Sequence, residues 1–331
     1  MHKYKVKALA LTSMLAMLFG GLTASPAQAA SPVGVGTHHL PPINHKTGGL
    51  HALSGGGTTW VWAGGDQVLA AGSTAGGAAS NVLVAEPYLD TTNDAHSLGE
   101  VAARDTSTGN TIEIGWNIDQ AINGDTQAHL FTGAWKNGTF LGYNATATGY
   151  VDNSSNATNA GANLHSVAID ATFTNRIKQF LIQYDNTVAC GSDPTGGWWV
   201  KYAGVYVGCY QNSIWGAGVF TTVNNAEYFG EVATYRTSGK PCSDQGNGNP
   251  GNTAVTPLDA TDPAFFASTS WVNASAGVTS SNTLYNQDSN SNNTAAAYDA
   301  FSIGSSGNRT FTYGGKGWTS TGTTPGNKGI C

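Results

Sequence analysis

Between residues 57 and 236 hydrophobic and polar positions alternate in short runs. The runs are "TTWVWAGG", "NVLVAEPYL", "LGEVAARD", "TIEIGWNI", "AHLFTGAW", "SVAIDATF", "KQFLIQYD", "GGWWVKYA", "VYVGCY" and "EYFGEVATY", with Gly, Asn, Asp and Thr clustered between them. A period of two puts successive side chains on opposite faces of a strand. Strands this short at this spacing predict an all-β fold, an antiparallel β-sandwich of two stacked curved sheets with long Gly/Asn/Ser-rich loops. No segment carries a long helical period, and only "DPAFFASTSWV" near 262–272 reads as a short helix. "RDTSTGN" reads as the turn joining strands over 98–105 and 110–117, and Asp125 in "INGD" as another turn residue. No Pro-rich or charged linker divides the strands, so residues 57–331 are expected to form a single domain whose part from about 237 is mostly long loops.

The chain begins "MHKYKVK", followed by the apolar run "ALALTSMLAMLFGGLTA" and "SPAQAA", where Ala27-Gln28-Ala29 fits small-residue cleavage. Residues 1–29 therefore read as a secretory signal peptide, and residues 30–56, with His38, His39, His45 and His51, as a disordered lead-in or short pro-segment. The apolar run is short for a membrane span, so the mature chain is expected to be secreted, extracellular and off the membrane. Signal cleavage takes Lys3, Lys5 and Lys7 from a chain already at a formal net charge of -6, which argues against nucleic acid as a partner. The four cysteines, Cys190, Cys209, Cys242 and Cys331, lie in the mature part, and an even count in an oxidising compartment favours disulfides. Of three possible connectivities the sequential one is expected, Cys190 with Cys209 and Cys242 with Cys331. A zinc site lacks CxxC spacing and a neighbouring histidine, so no metal or other cofactor is expected.

Glutamate is scarce: Glu86, Glu100, Glu113, Glu227 and Glu231 are all the chain has, and Glu113 stands in a strand between two isoleucines. The period sends Ile112, Ile114 and Trp116 to one face and Thr111, Glu113, Gly115 and Asn117 to the other. That second face is polar and glycine-lined, as the floor of an open groove would be if a polymer backbone came close. In "AEYFGEVATY", Glu227, Phe229, Glu231, Ala233 and Tyr235 share one face, so again a glutamate stands in a strand beside a glycine. Two carboxylates brought together across a curved sheet ionise unequally, which supplies an acid and a base from one residue type. Other chemistries lack their signatures: there is no G-x-S-x-G elbow and no H-E-x-x-H.

In order along residues 83–331, several stretches resemble the neprosin family of secreted glutamic, proline-directed peptidases, in a bacterial-type form. "NTIEIGWNI" with "NGDTQAHLFTGAW" is similar to its Ile-Glu-Ala-Gly-Trp segment and the downstream Gly-Asp and Leu-Phe-Thr-x-Trp. "GGWWV", "VGCYQNSIW", "YFGEVATY", "CSDQGNG" and "FTYGGKG" with a terminal cysteine resemble the family's later motifs. The resemblance implies that Glu113 and Glu231 are the catalytic pair, one taking a proton from water and the other, protonated, hydrogen-bonding the scissile carbonyl before protonating the amine. Glu231 is the favoured base. It also implies a peptide or protein substrate, proline-rich proteins among them, an acidic working pH and a monomer, with Trp198, Trp199, Tyr235 and Trp116 as substrate contacts. The chain departs from the plant pattern at "LGYNATATGY", where two cysteines are absent, and at Phe229, where the first glycine of Gly-Gly-Glu is replaced. Two other readings fit the same residues: a glycoside hydrolase using the carboxylate pair, and a non-catalytic carbohydrate- or surface-binding sandwich.

Overall fold

The computed structural model describes residues 58–153, 158–216, 220–251, 262–273, 277–280, 285–288, 298–302 and 309–318. The expected signal peptide, the lead-in and Cys331 lie outside the described residues.

The strands run, in chain order, β1 (Thr59–Val68), β2 (Gly77–Leu83), β3 (Asp94–Asp105), β4 (Asn110–Asp119), β5 (His129–Lys136), β6 (Thr139–Tyr143), β7 (Tyr150–Asp152) and β8 (Ile177–Asp185). They continue as β9 (Gly197–Tyr202), β10 (Val205–Gln211), β11 (Asn225–Thr234), β12 (Ala264–Asn273), β13 (Gly277–Ser280), β14 (Tyr285–Asp288), β15 (Asp299–Ser302) and β16 (Phe311–Gly314). One antiparallel sheet has seven strands in the order β14-β1-β11-β3-β4-β5-β6. The other has nine, ordered β15-β16-β12-β2-β8-β9-β10-β7 with β13 on β12. The helical pieces are short: α1 (Gln120–Asn123), α2 (His165–Ala168) and three single 3-10 turns.

The sheets bury their facing sides against each other. Val101, Ile112, Ile114, Trp116, Leu130 and Tyr228 from the seven-stranded sheet share one core with Val82, Phe180, Ile182, Trp198, Val200 and Phe266 from the nine-stranded one. Burial of each such side chain stabilises by roughly 1.5–3 kcal/mol, so this interlayer is the main source of stability. It also fixes register, because a one-residue slip of β4 would exchange its isoleucines for Glu113.

The turn after β3 forms as the sequence suggests: Asp105 accepts from Ser107 N at 2.9 Å and from the Ser107 and Thr108 hydroxyls, and Gly109 takes φ 74°. Two expectations fail. The segment near 262–272 is not a helix but β12, paired with β2, β13 and β16. A bulge between Ala267 and Ser270, with Ser268 at φ 55°, breaks the period of two, so that Phe266 and Trp271, five residues apart, both reach the core. "SVAIDATF" is not a strand either; its first residues form α2 and its end enters a 3-10 turn at Phe173–Arg176. Cys190 and Cys209 form a disulfide with Cα atoms 5.9 Å apart, tying the segment before β9 to β10. Among the described residues no helix is long and apolar enough to cross a membrane.

Candidate active site

The outer face of the seven-stranded sheet carries most of the buried acids. The ladders set its rows: Trp62, Glu231, Leu98 and Asn117 lie abreast; next Gly64, Phe229, Glu100, Gly115 and Phe131; next Asp66, Glu227, Ala102, Glu113 and Gly133. Glu113 and Glu231 thus share the face, each on the side of its strand opposite the core. They are not adjacent. They stand two strands and two rows apart, with Glu100 of β3 at the midpoint of the diagonal.

All four glutamates of the face are buried, Glu100 at 4%, Glu113 at 3%, and Glu227 and Glu231 at 1% exposure. The expected open groove floor is therefore corrected: Trp62, Leu98, Ala102, Phe131 and Phe229 close around the carboxyls as a small apolar cluster, with Tyr143 beside it. Glycine makes the packing possible at one point, since a Cβ on Gly133 would come 2.7 Å from Glu113 Oε2.

The partners of the two glutamates differ. Glu113 Oε1 accepts from Trp135 Nε1 at 2.7 Å. Burial pushes the Glu113 carboxyl up to about 8; the Trp135 hydrogen bond opposes this and the charges of Glu231 and Glu227 add to it. Glu231 Oε1 lies 3.0 Å from His96 Nε2, and both side chains are buried. His96 Nδ1 is 3.9 Å from Asp119 Oδ2, while Asp119 Oδ1 caps α1 by accepting from Ala121 N and Ile122 N. Burial works against a charge on His96, but the hydrogen bond to Glu231 and the charges of Glu231, Asp119 and Asp94 outweigh it, so its pKa is raised. Glu227 is pushed up to about 7, mainly by burial, although Arg104 Nη1 stands 3.7 Å from its Oε1. Glu113, buried against Trp135 with a raised pKa, and Glu231, hydrogen-bonded to His96, thus stand in unlike surroundings on one face.

The aromatic candidates fall elsewhere. Trp116 and Trp198 are fully buried between the sheets, donating from Nε1 to Leu83 O and Phe220 O, so neither faces the carboxylates. Trp199 points to the outer face of the opposite sheet, against Tyr206 and the Cys190–Cys209 disulfide. Tyr235 alone stays near the site: it lies just past β11, half-buried, with Asp119 and Asp94 close enough to raise its phenol after burial has done so. The rings that do line the face are Trp62, Phe131, Trp135 and Phe229, joined by Phe140, 4.6 Å from Trp135, and by Tyr143. Of these rings the sequence reading placed only Phe229 on a glutamate's face; it gave no role to the others, nor to His96 and Glu100, although each alternates in step with a glutamate's strand or a neighbouring one. Among the described residues no group of three or more His, Cys, Asp or Glu is placed to hold a metal ion.

A family model described as Neprosin matches residues 93–316. Among solved structures the chain is similar to one described as "Crystal structure of Scytalido-glutamic peptidase with a peptide based transition state analog", at 10% identity and a TM-score of 0.36, over 78% of this chain and 99% of that one. No curated protein matches. The family match takes in β3, β4 and β11, which carry Glu100, Glu113, Glu227 and Glu231, and extends over most of the chain, so the chain belongs to the Neprosin family.

Proposed function

We propose that this chain is a secreted glutamic endopeptidase in which Glu231 is the base and Glu113 the acid. Family membership supports a hydrolase acting on peptides, and the observation that carries the assignment is the unequal company of the two glutamates. Glu231 pairs with His96, while Glu113 is buried against Trp135 with its pKa near 8. Glu231 takes a proton from water, and the water oxygen bonds to the scissile carbonyl carbon. The Glu113 O–H donates to the carbonyl oxygen and then passes its proton to the nitrogen as the C–N bond breaks, leaving a carboxylic acid and an amine. The proton left on Glu231 returns to Glu113 through solvent before the next turnover. Each proton-transfer role contributes about 10²- to 10⁴-fold. A preference for proline before the scissile bond follows from Trp62 and Phe229, whose rings flank Glu231 and present flat apolar surface to the pyrrolidine ring. Export agrees with the Cys190–Cys209 disulfide, a bond kept in oxidising compartments.

The test is cleavage of a denatured protein mixture at about pH 4 with mapping of the new termini, wild type beside Glu113→Gln and Glu231→Gln. General acid–base chemistry predicts loss of at least about 10³-fold in each variant with an unchanged circular dichroism spectrum. Cleavage retained in either folded variant, or new termini only in a parallel polysaccharide digest, sinks the assignment.

A further inference from the structure

The proposed reaction gives no role to Glu100 or to Glu227; Glu227 stands beside Arg104, whereas Glu100 has the most central position on the face. Ladder register makes it the diagonal neighbour of Glu231 and Glu227 on β11 and of Glu113 on β4. Diagonal neighbours on one face stand about 7–8 Å apart, so Glu113 and Glu231 are two such steps from each other and Glu100 one step from each. A scissile carbonyl held between the acid and the base therefore lies over Glu100.

The side chain is 4% exposed, with Phe229 directly beside it on one strand and Gly115, overlaid by the Phe131 ring, on the other. Among the described residues its carboxyl makes no hydrogen bond, and its oxygens are not sealed from the surface, so they are free to meet a partner that arrives from outside. Burial first, and then the charges of Glu113, Glu231 and Glu227, hold the Glu100 proton well above the usual carboxylate range. The two cations of the face are engaged elsewhere, Arg104 with Glu227 and His96 with Glu231.

We propose that Glu100 is a third catalytic residue, whose O–H donates a hydrogen bond to the oxygen of the scissile carbonyl as negative charge develops there. The inference rests on the peptidase reading above. A carbonyl oxygen has two lone pairs, so it accepts from Glu100 and from Glu113 together. Glu100 keeps its proton throughout, no bond to it breaks, and it needs no resetting between turnovers. Its work is that of one oxyanion donor, for which removal costs about 10²- to 10³-fold in kcat.

The role separates Glu100 from the acid and the base by one substitution. Glutamine donates from its amide but cannot exchange a proton, so Glu100→Gln retains kcat within about tenfold, whereas Glu113→Gln and Glu231→Gln do not. Glu100→Leu fills the apolar cluster without a donor and loses kcat by about 10²- to 10³-fold with KM little changed. Steady-state kinetics of the three glutamine variants and Glu100→Leu on one peptide, with circular dichroism of each, decides it. Full kcat in folded Glu100→Leu overturns the inference, as does a Glu100→Gln variant as inactive as Glu100→Leu. If Glu100→Leu does not fold, the Glu100→Gln result decides alone. Failure of the wild type to cleave any peptide overturns the peptidase reading instead, so the two failures are distinguishable.

Discussion

The two outer faces of the sandwich are built on the same alternation and put to different uses. Outside the nine-stranded sheet, Leu181, Ala79 and Val272 pack together, and Trp199 leans on Tyr206 and the disulfide. The charge there, Lys201, rests 4.1 Å above the Tyr206 ring and reaches Gln183. Outside the seven-stranded sheet, four glutamates and Asp66 are buried with Arg104 and His96 as close cations. The first arrangement lowers the energy of the fold. The second raises it, since each buried carboxyl forfeits hydration and repels the next. A face that runs against local stability while its counterpart obeys it is where function is expected.

The largest effect that can break this comparison is catalytic. Glu113→Gln and Glu231→Gln are expected to lower kcat/KM by at least about 10³-fold, or roughly 4 kcal/mol of transition-state stabilisation, while Trp199→Ala and Lys201→Ala on the other face leave it within about threefold. Equal losses from both faces would remove the contrast.

Next comes stability against pH. Glu113 and Glu227 hold their protons more tightly folded than unfolded, with folded pKa values about 8 and about 7. Their contribution to folding is therefore complete below about pH 4.5 and is lost as pH rises through those values. His96, also raised, acts in the same direction, complete below about pH 6.5 and lost above it. Melting followed from about pH 4.5 to 8.5 should show a loss of several kcal/mol, and Glu227→Gln should flatten the curve. A melting temperature that rises across that range contradicts the buried, protonated face.

How much of this was legible in the sequence depends on what a residue's role rests on. Alternation was enough to set Glu113 and Glu231 each apart from the core residues of its own strand, while their sharing one face of the sheet is given by the pairing of β11, β3 and β4. Glu100, in the equally visible "LGEVAARD", was not readable, since its meaning is that Phe229 and Gly115 lie beside it, and register between strands distant in sequence is set by core packing. The tryptophans misled for a related reason: a sandwich has two outer faces and an interior, and a period of two separates Trp198 from Trp199 without saying which side meets the substrate. The bulge in β12 hid a strand by breaking its period of two.

His96 sharpens the comparison at a smaller scale. His96→Gln keeps a donor for Glu231 but removes the cation, so kcat/KM should fall about 10- to 100-fold, or roughly 1.4–2.7 kcal/mol. The pH profile should also change shape, because the variant no longer carries the His96 imidazole, whose pKa the site raises. A uniform loss at every pH would mean that His96 only fills space.

The smallest effect tests whether the face needs its glycine. Gly133 is in ordinary strand conformation directly opposite Glu113, so alanine there adds no backbone strain, only a methyl group 2.7 Å from Glu113 Oε2 and 3.5 Å from Phe140. The carboxyl must shift by a few tenths of an ångström, away from the Trp135 hydrogen bond. Gly133→Ala should therefore lower kcat by about tenfold, or roughly 1.4 kcal/mol, with KM nearly constant, because only the orientation of the acid changes. An unchanged kcat would mean that the orientation of the Glu113 carboxyl does not limit the reaction.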